Sequence, residues 1–139
     1  MANISKKTRL LVAERAKHCC EYCLSQAKYS SDYFSIEHII PRFRKGSDFL
    51  INLAFACLAC NNHKYTHIEA IDPVSGMFVA LYNPRIDVWA QHFCWSDGYS
   101  MLTGLTPKGR ATIEKLHLNR TSVVNFRLVM TAVGKHPPF

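Results

Sequence analysis

No stretch of this 139-residue chain approaches the roughly 18 consecutive apolar residues that a membrane span requires. The opening segment MANISKKTRLLVAERAKHCC has basic residues but no apolar block ending in small ones, so a secretory leader is not expected. A cytoplasmic location is the expectation, and six cysteines there point away from disulfides. Internal repeats and low-complexity tracts are lacking too, which argues against a solenoid or a linker-rich chain. Charge is scarce, with charged residues at 19% against 48% hydrophobic, the balance of a globular protein. The length suits a single compact domain over residues 1–139 with a modest core.

Acidic residues are the scarcer sign. Seventeen Lys and Arg face ten Asp and Glu, for a net charge of +7 and a sequence pI near 9.2. Such an excess favours a polyanionic partner, because each phosphate neutralised by Lys or Arg releases counterions. Plain solubility accounts for the same balance, so charge alone names no function.

Residues 5–18, SKKTRLLVAERAKH, suit an amphipathic helix capped by Ser5, with Leu10, Leu11, Ala13 and Ala16 facing inward. Two apolar runs follow, FSIEHIIP at 34–41 and LINLAFACL at 50–58, joined by the polar, turn-forming RFRKGSDF. ACNNHKYTHIEAI reads as a helix starting near Asn61. DPVSG at 72–76 is a break. Beyond it lie strand-like pieces, MFVALYNP, VWAQHFCWS and YSMLTGLT, with Asp97-Gly98 as a hairpin signal between the last two. Thr106 and Pro107 mark the cap and first position of a helix through RATIEKLHL, and SVVNFRLVMTAV is a last helix.

Cys20-x-x-Cys23 and Cys57-x-x-Cys60 are two knuckles of equal spacing with 33 residues between them. Four soft ligands arranged in this way predict a tetrahedral structural zinc site. Buried unmetallated thiols or a redox pair would use the same residues. Cys19 is a rival for the place of Cys20, and Cys94, without a partner in the motif, is expected in the core.

Glu37 and His38 interrupt the apolar run FSIEHIIP. Successive strand residues point to opposite faces, so both cannot face one ion unless the strand kinks or ends near Pro41. A buried unpaired carboxylate is costly, so Glu37 needs a partner. His38 alone reads equally as a core histidine, Asn52 as a residue closing the Gly46 loop, and Asn61 as a helix cap.

Taken together, CEYC, IEHIIP, the Gly46 loop, NLAFACLACN and the Lys64 after CNNH resemble the HNH endonuclease family. The pattern spans residues 20–64. The resemblance implies an α+β fold, with a ββα-metal core over 18–71 carrying a zinc knuckle. Residues 73–139 would then form an extension of β-hairpin and helices, similar to a tail on bacterial, often cyanobacterial, HNH proteins. It implies a metal-dependent endonuclease acting on DNA, double-stranded above all, with His38 as the general base on water. Glu37 and Asn61 would hold a catalytic Mg²⁺ or Mn²⁺, and Asn52 would keep the base in register. Arg42, Arg44, Lys45 and Lys64 would hold the DNA backbone.

Two departures stand out. Position 37 is Glu where Asp is common, and the third motif position is Asn61. His63 is a rival ligand, forming an H-x₃-H pair with His67 on one helical face. His92 with Trp89 and Trp95 is expected to be core packing rather than a second site or a base-stacking surface. Arg85, Arg110 and Lys115 would either widen a DNA-binding face or be solvated. Two other readings remain beside the nuclease: a non-catalytic zinc-stabilised nucleic-acid-binding module, and a nuclease effector working with a specificity subunit.

Overall fold

The computed structural model describes residues 4–139. It divides into two compact units, the first ending at His67 and the second spanning Ile68–Phe139. Helices mix with small antiparallel hairpins in both, an α+β architecture. No helix among the described residues is long and apolar enough to cross a membrane.

In the first unit, helix α1 (Lys6–Arg15) starts where Ser5 accepts a hydrogen bond from the Thr8 N–H, as the sequence predicts. The predicted inward face is only half right. Val12, Ala13 and Ala16 are buried, whereas Leu10 and Leu11 stay exposed. The physical reason is the partner surface: Leu53 and Phe55 of strand β2 (Leu53–Ala56) take the small-residue face of the helix. Arg15 then forks onto the Leu50 and Leu53 carbonyls at 2.9 and 2.6 Å, fixing the end of α1 on that strand.

Strand β1 (Ser35–His38) pairs antiparallel with β2, with Glu37 opposite Ala54 and His38 opposite Leu53. The strand ends at His38, as the turn toward Pro41 predicts. Helix α2 (Leu58–Lys64) begins three residues before the predicted start near Asn61. Its cap is Cys57, whose sulfur accepts from the Cys60 N–H at 3.4 Å. Asn61 is therefore inside the helix rather than its cap. The helix stops at Lys64, so His63 and His67 share no helical face.

The second unit opens with a hairpin: β3 (Glu69–Ile71), which the sequence reading placed at the end of a helix, pairs with β4 (Phe78–Ala80), which lies in the strand-like piece MFVALYNP. DPVSG is its turn, where the Asp72 side chain accepts from Val74, Ser75 and the Ser75 hydroxyl. The predicted strand VWAQHFCWS splits into a helical turn α3 (Trp89–His92) and strand β5 (Phe93–Ser96). Strand β6 (Met101–Gly104) pairs with β5, with Asp97 and Gly98 both at positive φ in the turn.

Thr106 caps helix α4 (Pro107–Leu116) by accepting from the Gly109 N–H, and α5 (Thr121–Ala132) closes the chain. Trp89, Phe93, Trp95 and Tyr82 form a chain of ring contacts at 5.3–5.6 Å, so this aromatic group packs the unit. His92 is bound to Thr106 at 2.6 Å. Cys94 is half-buried rather than core. Arg110 holds buried Asp72 through two bonds of 2.9 Å, which removes it from any DNA-binding face and keeps the Asp72 carboxyl far below its ordinary range.

Candidate functional site

The two knuckles meet. The sulfurs of Cys20, Cys23, Cys57 and Cys60 all lie within 4.8 Å of one another, and Cys23 and Cys57 are 3.7 Å apart. A tetrahedron with zinc–sulfur bonds of about 2.3 Å has sulfur–sulfur edges of about 3.8 Å. The donor set thus fits a structural zinc ion in spacing and chemistry. Burial pushes the Cys20 thiol well above its ordinary range, so four thiolates need a cation among them. Cys20, not Cys19, belongs to the cluster, since the Cys19 sulfur donates to the Lys17 carbonyl at 3.4 Å.

Around this clamp, a loop from Pro41 to Asn52 is closed by one side chain. The Asn52 amide donates to the Ile40 and Ser47 carbonyls at 3.0 and 2.8 Å, and its oxygen accepts from the Ile40 N–H at 2.9 Å. Gly46 makes room for it. A Cβ on residue 46 would stand 1.7 Å from the Ile40 oxygen and 2.9 Å from the Asn52 amide nitrogen. Gly46→Ala is therefore expected to lower stability by about 3 kcal/mol, read as a lowered urea midpoint. An unchanged midpoint would mean that the loop can open without cost.

The doublet at 37–38 separates across the strand. His38 turns to the loop, where its Nε2 lies 2.7 Å from the Asp48 carboxylate, with the side chain 17% exposed. Among the described residues its Nδ1 has no protein partner. The same Asp48 oxygen accepts from Arg42 Nε at 3.0 Å, and these two bonds hold the Asp48 carboxyl below its ordinary range.

Glu37 turns inward and is 3% exposed. Its two oxygens meet Lys64 Nζ and the Tyr22 hydroxyl, each at 2.5 Å. Lys64 also donates to the Ile39 carbonyl at 2.9 Å and is itself buried. Burial pushes the Glu37 carboxyl up while Lys64 and Tyr22 pull it back.

This corrects two sequence expectations. Glu37 does not fit as the ligand of a hard cation, because both its oxygens are taken. Lys64 does not reach outward to a phosphate, because the buried carboxylate claims it. Of the other residues assigned to DNA contact, Arg44 and Lys45 are exposed on the loop, and Arg42 is joined to Asp48. Asn61 is half-buried, with no side-chain partner among the described residues; Asn52 acts as the loop clamp.

Lys64→Met would strand the carboxylate, at an expected cost of about 3–5 kcal/mol near neutral pH. The sign with pH follows from the raised Glu37 pKa. A carboxyl whose pKa is higher folded than unfolded binds its proton more tightly in the folded state. Removing Lys64 takes away the strongest influence that pulls this carboxyl back, so its pKa stands higher still and the variant loses more stability than wild type as pH rises above the ordinary carboxylate range. Urea unfolding of variant and wild type across that range should show a gap that closes on acidification. A constant gap would contradict the pairing.

Sequence reasoning missed Asp48. The available signal was an acid two residues past Gly46 in a loop predicted to close near His38.

Residues 20–67 match the family model described as HNH endonuclease. The chain is 28% identical over 114 residues to the Septu protein PtuB of Bacillus thuringiensis. That similarity covers 81% of this chain but 41% of the relative's length. No solved structure matches the chain at a significant level.

Proposed function

We propose that residues 20–67, which match the HNH endonuclease family model, form a nuclease-type unit and that the chain hydrolyses DNA phosphodiester bonds with His38 as general base. The observation that carries this reading is the imidazole itself. One nitrogen is anchored on Asp48, the other has no protein partner among the described residues, and basic Arg44 and Lys45 stand on the adjoining loop. A neutral imidazole with a bare ring nitrogen can accept a proton from water.

In the proposed step, His38 takes a proton from water and the water oxygen forms the new bond to phosphorus. The bond to the 3′ oxygen breaks, and that oxygen is protonated from solvent. Arg44 and Lys45 hold flanking phosphates by charge. Structural zinc in the four-cysteine clamp keeps β1, β2 and α2 together. The family resemblance attaches a Mg²⁺ or Mn²⁺ requirement to such chemistry. Asn61 is the expected residue left to hold the ion, which would stabilise charge on the phosphate oxygens.

Supercoiled plasmid tests this directly. Cutting or nicking is expected with Mg²⁺ or Mn²⁺ and lost with EDTA while zinc content, measured alongside, stays at one per chain. Asn61→Ala is expected to abolish the response to the added ion, and His63→Ala to leave it. Full activity in Asn61→Ala with loss in His63→Ala would move the ligand to His63. Binding of DNA without cutting under any divalent ion would return the domain to a non-catalytic module.

A further inference from the structure

The family resemblance gives Glu37 an ion to hold and leaves Asn52 to keep His38 in register. The folded chain supplies another acid, ten residues downstream. We propose that Asp48 is the positioning residue of His38, holding its Nε2–H tautomer so that Nδ1 is the nitrogen that meets water. This rests on the hydrolytic reading above and deepens it.

The geometry is specific. A carboxylate 2.7 Å from Nε2 is within hydrogen-bond distance, and an ionised carboxylate can only accept. The proton of the neutral ring must then sit on Nε2, and the lone pair on Nδ1. Asp48 stays ionised because Arg42 donates to the same oxygen at 3.0 Å. Arg42 thus supports the acid as well as lying in a basic loop.

The position of Asp48 is in turn set by the Asn52 clamp on the Ser47 carbonyl at 2.8 Å, one residue away. Gly46 permits that approach. When Nδ1 takes the proton from water, the ring becomes a cation facing a fixed anion, which favours the charged state of the transition. Glu37 cannot do this work, since its carboxylate is spent on Lys64 and Tyr22. The doublet therefore divides labour: the acid beside the histidine serves the fold, and the acid in the loop serves the base.

The test has two readouts on the zinc-loaded protein. Long-range ¹H–¹⁵N correlation spectra, taken where the ring is neutral, should show the His38 proton on Nε2 in wild type and a mixture of tautomers in Asp48→Ala. Single-turnover cleavage by Asp48→Ala should fall roughly 10- to 100-fold, with DNA affinity within about twofold, as for groups that orient a working imidazole. Asp48→Asn keeps an acceptor oxygen, so it should retain the Nε2–H tautomer and recover part of the rate.

The Asp48 side chain is 42% exposed, so its loss is not expected to unfold the domain. A wild-type ring protonated on Nδ1, or an Asp48→Ala protein cutting at the wild-type rate, would overturn the assignment. Wild-type protein that fails to cut would strike the hydrolytic reading instead, while the ring proton still reports on Asp48 independently.

Discussion

Cys60→Ser is expected to cost the first unit both its zinc and its cooperative fold. The unit's core is small, built on Val12, Ala13, Ala16, Leu53 and Phe55. Burying a side chain such as Val, Leu or Phe contributes about 1.5–3 kcal/mol before the ordering cost of the backbone is subtracted. A structural zinc site in a small domain contributes an apparent 10–16 kcal/mol, comparable with the whole net stability of a typical domain.

The clamp also carries topology. Cys20 and Cys23 lie on the turn after α1, and Cys57 and Cys60 on the first turn of α2. Without it, α2 has no covalent-strength tie to the rest of the unit, and Lys64 loses its fixed approach to Glu37. Metal analysis should fall from one zinc per chain to near none, and thermal unfolding monitored at Tyr22 and its neighbours should lose its sharp transition. A Cys60→Ser protein that melts as sharply as wild type without zinc would show that the apolar core is sufficient alone.

The sequence made some features plain because their causes are local. Thr106 with Pro107, and Asp97 with Gly98, act through their own backbone torsions and nearest N–H groups, so the helix start and the hairpin could be read directly. The two Cys-x-x-Cys knuckles were legible for the same reason, each being a turn with its ligands built in. Asn52 was readable as a loop closure, though not the three bonds by which it closes.

The features that were not legible depend on which surfaces meet. Leu10 and Leu11 look like the core of α1, but the strand presents a surface that selects Val12 and Ala13. The start of α2 was misplaced because a cysteine sulfur, outside the ordinary capping residues, takes the capping role. Glu37 posed a readable question, since a buried carboxylate needs a cation. Two answers were open, an ion or Lys64 at 27 positions' remove, and only the fold decides for Lys64. Asp48 was least visible of all, because its meeting with His38 depends on a loop shape that Gly46 and Asn52 create together.

The proposed division between a folding acid and a working imidazole makes His38→Ala the sharpest probe. Among the described residues the His38 side chain bonds to Asp48 on the open side of the strand, so its removal should leave zinc content and the unfolding midpoint near those of wild type. Base catalysis of this type is worth on the order of 100- to 10,000-fold. The decisive measurement is the single-turnover cleavage rate of folded, zinc-loaded His38→Ala on plasmid DNA that it still binds. The rate is expected to fall by at least about 100-fold; cutting at the wild-type rate would show that the imidazole is not the base.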